Sequence, residues 1–210
     1  MEQLLYDMKE RLGRKKMKTK LIAIIGRSAS GKDTLLKQFL SLHKDLHPII
    51  HYTTRPIRPG ETEGKEYHFI SVEEFTRMHD NQEFFHIAQF NNWWYGIHQN
   101  SFSSEAINIG IFNPDEIQRL YKYYQDEFDL YIIETWASTN TLYERSLKRL
   151  EDTCFDEEGL KEMCRRYKAD TEDFQKIASI PRYRLETTSL WDCCALNGFV
   201  EGLMYALGQN

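Results

Sequence analysis

Residues Gly26-Arg-Ser28-Ala29-Ser30-Gly31-Lys32-Asp33-Thr34 set two glycines with four residues between them and follow the second at once with a lysine. That spacing makes a phosphate-binding loop. Backbone N–H groups converge on phosphate oxygens, a helix N-terminus adds positive potential, and a lysine reaches the terminal phosphates. The chemistry is the holding of a nucleoside triphosphate. The pattern normally ends on Ser or Thr, whose hydroxyl faces Mg²⁺; here Asp33 stands there, with Thr34 one step later. A carboxylate is also a hard oxygen ligand, so Asp33 is the candidate metal ligand, although it brings negative charge close to the phosphates.

A second segment could hold a second anion. Arg55 and Arg58 lie three apart in a loop restrained by Pro56 and Pro59, with Glu61, Gly64 and Tyr67 following. Two guanidinium forks offer a small phosphate paired donors that lysine cannot match. The phenols of Tyr67 and Tyr95 could complete the cradle. A merely solvated basic loop would have the same composition, so the segment by itself leaves both readings open.

The elements that must position these residues follow from periodicity. Leu21 to Ile25 is a short unbroken apolar run, the mark of a buried parallel strand, and Lys32 to Leu42 repeats Leu35, Leu36, Phe39, Leu40 and Leu42 at helical spacing. Pro48 to Thr53 predicts a strand, 54 to 66 a loop, and Tyr67–Ile70, Glu83–Phe90 and Trp93–His98 short strands. Between the first two of these lies a small helix with Val72, Phe75 and Met78 on one face. Alternation of strand and helix resumes with a strand over 106–112 and a helix capped by Asn113, with Pro114 in the first turn and Asp115 and Glu116 at the positive dipole end. Its expected apolar stripe is Ile117, Leu120, Tyr121 and Tyr124. A strand over 129–133 follows, then a helix capped by Ser138 with Leu142, Tyr143, Leu147 and Leu150 inward. A helix over about 160–174, a strand over 183–187 and a helix over 190–207 close the chain. This alternation predicts an α/β fold, a three-layer αβα arrangement around a parallel sheet, with the block of short strands inserted as a small mixed-β subdomain.

The chain has 210 residues, a net charge of -5 and four cysteines. That length suits one domain with appendages. The acidic balance gives no general pull toward nucleic acid or an anionic membrane, and no apolar run approaches a membrane span. No secretory signal opens the chain. Cys154, Cys164, Cys193 and Cys194 lack zinc-ligand spacing and read as free thiols in a reducing cytoplasm. Residues 1–19 read as a basic helical extension, with Leu4, Leu5, Met8 and Leu12 on one stripe ahead of Arg14, Lys15, Lys16 and Lys18; a helix docking loosely on the body is the expectation. Nothing in the sequence sets an oligomeric state.

The second segment also carries a resemblance. Thr53-Thr-Arg55-Pro-Ile-Arg58-Pro-Gly-Glu61, with Gly64 and Tyr67-His-Phe69, is similar to the monophosphate site of the guanylate kinase family. The likeness runs on through Ser71-Val-Glu-Glu-Phe75, Asn81-Gln-Glu-Phe84, Ala88-Gln-Phe90 and Tyr95-Gly96. The loop at Gly26 resembles the family's triphosphate loop, and Leu142-Tyr-Glu-Arg145-Ser-Leu-Lys-Arg149 and Arg165-Arg166 resemble the helices into and out of its lid. The match spans about residues 20 to 175. The resemblance implies a kinase-like domain over 20–210, with a monophosphate-binding subdomain over 51–100 and a helical lid over 145–166. It implies ATP and Mg²⁺ as donor and metal, bound by Gly26, Ser28, Ala29, Ser30, Gly31, Lys32, Asp33 and Thr34. Arg55, Arg58, Glu61, Tyr67, His86 and Tyr95 would bind the acceptor. Lys32 with Arg145, Arg149, Arg165 and Arg166 would neutralise the phosphoryl group in flight, since phosphoryl transfer needs alignment and charge neutralisation above all.

The departures from that pattern cluster where the base would sit. His86 stands where the family reads guanine with a Glu, Ile97 and His51 replace hydroxyls, and Asn108 and Gly110 stand nearest to a usual pair of aspartates. A carboxylate is the natural acceptor for guanine's N–H groups, so the phosphate cradle is retained and the base reader is not. Asp at the position of Asp33 also occurs in the related ribose 1,5-bisphosphate phosphokinases, which take a non-guanine acceptor. The leading expectation is a kinase moving the γ-phosphoryl group of ATP to a (deoxy)nucleoside monophosphate, with small-molecule nucleotides as partners and a cytoplasmic location. A kinase of a modified nucleotide or other phosphorylated acceptor is the first alternative. A non-catalytic module that binds phosphorylated partners is the second, opposed by the intact loop. A regulatory ATPase or GTPase is disfavoured by Glu134 in place of an aspartate.

Overall fold

A computed structural model describes residues 18–58, 60–90, 92–152, 155–188 and 193–208. The extension expected over 1–19 lies almost wholly outside them, as does Cys154. Five strands form one parallel sheet in the order β2-β7-β1-β8-β9, with β1 Thr19–Gly26, β2 His47–Pro48, β7 Asn108–Ile111, β8 Phe128–Trp136 and β9 Tyr183–Glu186. β1 is central because both its faces are apolar. Leu21, Ala23 and Ile25 face one cluster with Phe112, Ile117, Phe174 and Ile177; Ile22 and Ile24 face the other with Leu35, Phe39, Val200 and Met204. The period of two thus splits one run of five residues between two cores. Helices α3 (Pro114–Tyr123) and α5 (Glu157–Lys176) cover the first face, and α1 (Lys32–Leu42) and α6 (Cys193–Ala206) the second. The fold is the expected αβα sandwich.

A second, mixed sheet carries the order β4-β3-β6-β5, from β3 His51–Thr53, β4 Tyr67–Phe69, β5 Phe84–Phe90 and β6 Trp93–His98. The register sets His51 opposite Tyr67, Thr53 opposite Tyr95, and His86 opposite Ile97. Alternation therefore gathers His51, Tyr67, Tyr95 and His86 on one face. Tyr52, Phe84, Trp94 and His98 take the other, where Phe84 and Trp94 stack on Phe75 of α2 (Val72–Asp80) at 4.5 and 6.0 Å between ring centroids. Gly96 is obligatory here, since a Cβ would come within 2.7 Å of the Phe84 ring.

Several expectations are corrected. The strand predicted over 48–53 is two strands in two sheets: the Ile49 N–H still donates to Ile109 of the large sheet, and two residues later His51 pairs with Tyr67 of β4. Val72, Tyr121 and Tyr143 are exposed at 53%, 38% and 54%, so α2, α3 and α4 (Thr139–Glu151) bury narrower stripes than predicted. The helix predicted over 160–174 runs from Glu157 to Lys176, capped by the Asp156 side chain on the Gly159 N–H.

Candidate functional site

β1 ends in the middle of the sheet between β7 and β8, where the chain crosses from one side of β1 to the other, and the crevice beyond such a switch is where α/β sheets bind ligands. The loop leaves from there. Gly26 pairs with Thr135 on β8, and a Cβ on it would strike the Thr135 and Ser30 hydroxyls and stand 2.8 Å from the Thr135 carbonyl oxygen. The loop then alternates handedness: Ala29 has φ 61° and Gly31 φ 92° before α1 begins at Lys32. Such alternation turns successive N–H groups into one concavity. The Ser30 hydroxyl meets the Thr135 hydroxyl at 2.7 Å, and Thr187 donates to the Ser30 carbonyl at 2.9 Å.

Lys32 crosses the loop and donates to the carbonyls of Gly26 at 2.8 Å and Arg27 at 3.0 Å. Burial pushes its pKa down; Asp33 and Asp170 oppose that, and Arg149 and Arg166 add to it. Asp33 and Thr34 are exposed on the first turn of α1. Among the described residues no group of three His, Cys, Asp or Glu could enclose a metal. Glu134 is buried and accepts from Arg182 Nε at 2.5 Å.

The structure separates the four lid arginines. Arg149 and Arg166 come close enough to Lys32 for their charges to act on it. Arg166 and Arg165 both donate to Glu162. Arg145 donates to the carbonyls of Ala29 and Thr187 and to the Thr187 hydroxyl, bracing the loop against the segment after β9. Asp170, which sequence reasoning missed, accepts from the Ser28 N–H at 2.6 Å. No local signal marks it; it is one more acidic residue on a helix.

The two arginines of the second segment differ sharply. Arg55 is 4% exposed, while Arg58 is in solvent. Arg55 forks onto Glu61 at 2.8 and 3.0 Å and donates to the Pro56 carbonyl at 2.8 Å. Its guanidinium lies 5.4 Å from the Tyr67 ring centroid and 5.5 Å from that of Phe69. Glu61 also accepts the Arg58 N–H at 2.8 Å. Burial works against its charge, but Arg55 and that amide outweigh the burial and hold the carboxyl below its usual range. Glu61 therefore organises the loop. Tyr67 is pushed up to about 12, by burial first and by Tyr95 next, with Arg55, Asp33 and Glu116 also acting on it. It stays a phenol donor at any working pH, and the list of groups it senses spans the donor loop, the cradle and α3.

At the base end His86 is half-buried, and its Nε2 is buried without a hydrogen-bond partner among the described residues. Burial lowers its pKa, with Glu116, Arg119, Asp115 and His51 also in range. Glu116, read from the sequence only as a helix-cap carboxylate, is 3% exposed and faces His51 Nε2 at 3.3 Å. Ile97 is fully buried in the core beneath the sheets, where it packs and does not line an open wall.

The Guanylate kinase family model matches residues 18–107. The guanylate kinase of Maricaulis maris is 43% identical over 76 residues, 36% of this chain and 35% of its own length. That of Cupriavidus metallidurans is 31% identical over 137 residues, 63% of this chain and 62% of its own. This chain thus spans from about a third to under two thirds of the length of these relatives. The crystal structure of guanylate kinase from Anaplasma phagocytophilum superposes with a TM-score of 0.59 at 18% identity, covering 91% of this chain and 86% of that one. The fold is shared across nearly the whole chain, while the family model covers residues 18–107.

Proposed function

We propose, from the premise that this is a divergent guanylate kinase-like chain, that it is a nucleoside-monophosphate kinase moving the γ-phosphoryl group of ATP onto the phosphate of a small nucleotide. The observation that carries the reading is Tyr67. Its ring lies 5.4 Å from the Arg55 guanidinium and 5.8 Å from the Tyr95 ring, and the Asp33 charge of the donor loop is near enough to act on it.

In this reading the loop amides of Ala29 and of Gly31 to Thr34 hold the β- and γ-phosphates, with Gly26 giving the close approach to Thr135 and Ser30 that no side chain permits. Lys32 neutralises the terminal phosphate. Arg149 and Arg166, already near Lys32, receive the charge that spreads over the transferred group, and Arg165 supports Arg166 through Glu162. Arg145 keeps the loop in shape. Asp33 would hold Mg²⁺, which when bound would cancel charge at the phosphates. Arg55, held by Glu61, and Tyr67 and Tyr95 orient the acceptor phosphate, and exposed Arg58 closes over it. No covalent group is required, because alignment of the two phosphates supplies most of the rate.

A kinase for a modified nucleotide or another phosphorylated acceptor is the second reading, favoured by His86 and His51 at the base end. A panel of nucleoside monophosphates with Mg·ATP, with Lys32→Ala as control, tests both. Turnover of at least one monophosphate that Lys32→Ala abolishes supports the kinase. Turnover restricted to GMP and dGMP removes the second reading. ATP binding with no transfer to any acceptor removes both and favours a binding module.

A further inference from the structure

We propose that Glu116, delivered from α3 and steered by His51, is the base-reading carboxylate of the acceptor site, and that with His86 it selects a lactam base, one that turns a ring N–H beside a carbonyl toward it. The inference rests on the monophosphate-site reading above and deepens it.

Placement comes first. His51 and His86 lie on the face of the small sheet that carries Tyr67 and Tyr95, and the Glu116 charge acts on both Tyr67 and His86. A carboxylate therefore sits at the base end after all, although β5 carries none. Burial is the second point. A capping box asks only that a glutamate at this helical position accept one N–H, which an exposed side chain does well. Here Oε2 accepts the Asn113 N–H at 2.7 Å, and the residue is nonetheless buried at 3% exposure with Oε1 turned to His51 at 3.3 Å. Buried carboxylates are rare unless partnered, and an ionised one has about four acceptor sites. Two partners leave room for a third.

The chemistry follows from the donor and acceptor count. Glu116 already accepts the Asn113 N–H on Oε2 and offers Oε1 as a further acceptor beside His51, so the ligand atom facing it must carry hydrogen. His86, kept neutral by burial, has a buried Nε2 able to give or take one hydrogen bond. In the lactams guanine, hypoxanthine, uracil and thymine, a ring N–H lies beside a carbonyl: the N–H meets Glu116 and the carbonyl meets His86. The ring N–H of a lactam is more acidic than the aromatic amine of adenine or cytosine, and hydrogen bonds to a charged group are the strong ones. His51 is a positioning residue: it fixes Oε1 without touching the base.

Equilibrium binding to the full chain, measured by calorimetry without ATP, separates this inference from the kinase reading. The ligands are GMP, IMP, dTMP, AMP, CMP and base-less ribose 5-phosphate. Expected is tighter binding of lactam nucleotides than of AMP and CMP. Glu116→Gln, which keeps the capping hydrogen bond, should lower affinity for the best lactam nucleotide by about 10- to 100-fold, as loss of a hydrogen bond to a buried charge does. It should leave ribose 5-phosphate unchanged. His51→Gln should move the same ratio in the same direction, by less, which guards against a poorly folded Glu116→Gln. Binding of AMP or CMP as tight as any lactam nucleotide overturns the inference. So do equal losses for nucleotide and ribose 5-phosphate, and so does binding of none of the ligands. Selective lactam binding without phosphoryl transfer would uphold it while removing the kinase reading.

Discussion

Arg55→Lys is the substitution that separates a phosphate cradle from a structural ion pair. Three of the five guanidinium donors of Arg55 are engaged, by the Pro56 carbonyl and both oxygens of Glu61. Both Nη1 hydrogens and one on Nη2 meet those partners, so Nε–H and the second Nη2–H form the edge that a phosphate would take. Lysine keeps the positive charge but has no fork, and its ammonium cannot serve Glu61 and a phosphate in paired fashion. Losing one charged hydrogen bond on each side costs about 1.5–3 kcal/mol apiece. On the Glu61 side that is stability, and since a domain of this size loses roughly 2–4 °C per kcal/mol, the melting temperature should drop by several degrees. On the phosphate side the same range predicts kcat/KM for the acceptor falling on the order of 10- to 100-fold, with KM for ATP unchanged because the donor loop is untouched. The assay is steady-state phosphoryl transfer with each substrate varied in turn, beside a melting curve. A fallen melting temperature with an unchanged acceptor KM and kcat would refute the cradle and leave Arg55 as a brace for the loop.

Other perturbations test neighbouring parts. Gly26→Ala drives a Cβ against the Thr135 backbone oxygen, which cannot move aside, so about 1–3 kcal/mol of stability and most ATP affinity should go; wild-type ATP binding by calorimetry would contradict the close-approach role. Asp170→Asn keeps an acceptor for the Ser28 N–H but removes a negative charge that an incoming triphosphate must face, so ATP should bind several-fold tighter, about 1 kcal/mol; weaker binding would make Asp170 a brace only. The His86 imidazole is held below its ordinary range by burial, so the folded state resists protonation that the unfolded chain accepts. Stability from this group is full above about pH 6.5, the unfolded value, and is lost as pH falls through the lower folded value. The melting temperature of His86→Gln should therefore fall less steeply than wild type between pH 7 and 5; parallel curves would show that His86 does not titrate as described.

What could be read in the sequence was whatever a single stretch of chain completes by itself. The donor loop is one strand, one turn and one helix start, so spacing alone located Gly26, Gly31 and Lys32. The helix capped by Asn113 was legible for the same reason, its capping box closing within four residues. The strand predicted over 48–53 was divided because Ile49 finds its partner on Ile109 while His51 finds its own on β4, and no local propensity records a change of sheet. The cradle was half legible: composition marked Arg55 and Arg58 as a pair, but β3–β4 pairing buries one against Tyr67 and Phe69 and leaves the other in water. Arg145 looked like a lid arginine because its neighbours on α4 look like a lid helix, yet its partners Ala29 and Thr187 are brought to it by the central sheet. Glu116 is the sharpest case. In sequence it is one of two acids in the first turn of a helix, fully explained by a helix dipole. Only the meeting of α3 with β3 sets His51 on its second oxygen, a contact that no pattern within the helix announces. A site assembled across two sheets is specified by pairing, and residues that acquire a role through pairing carry the signature of their local element until the fold is built.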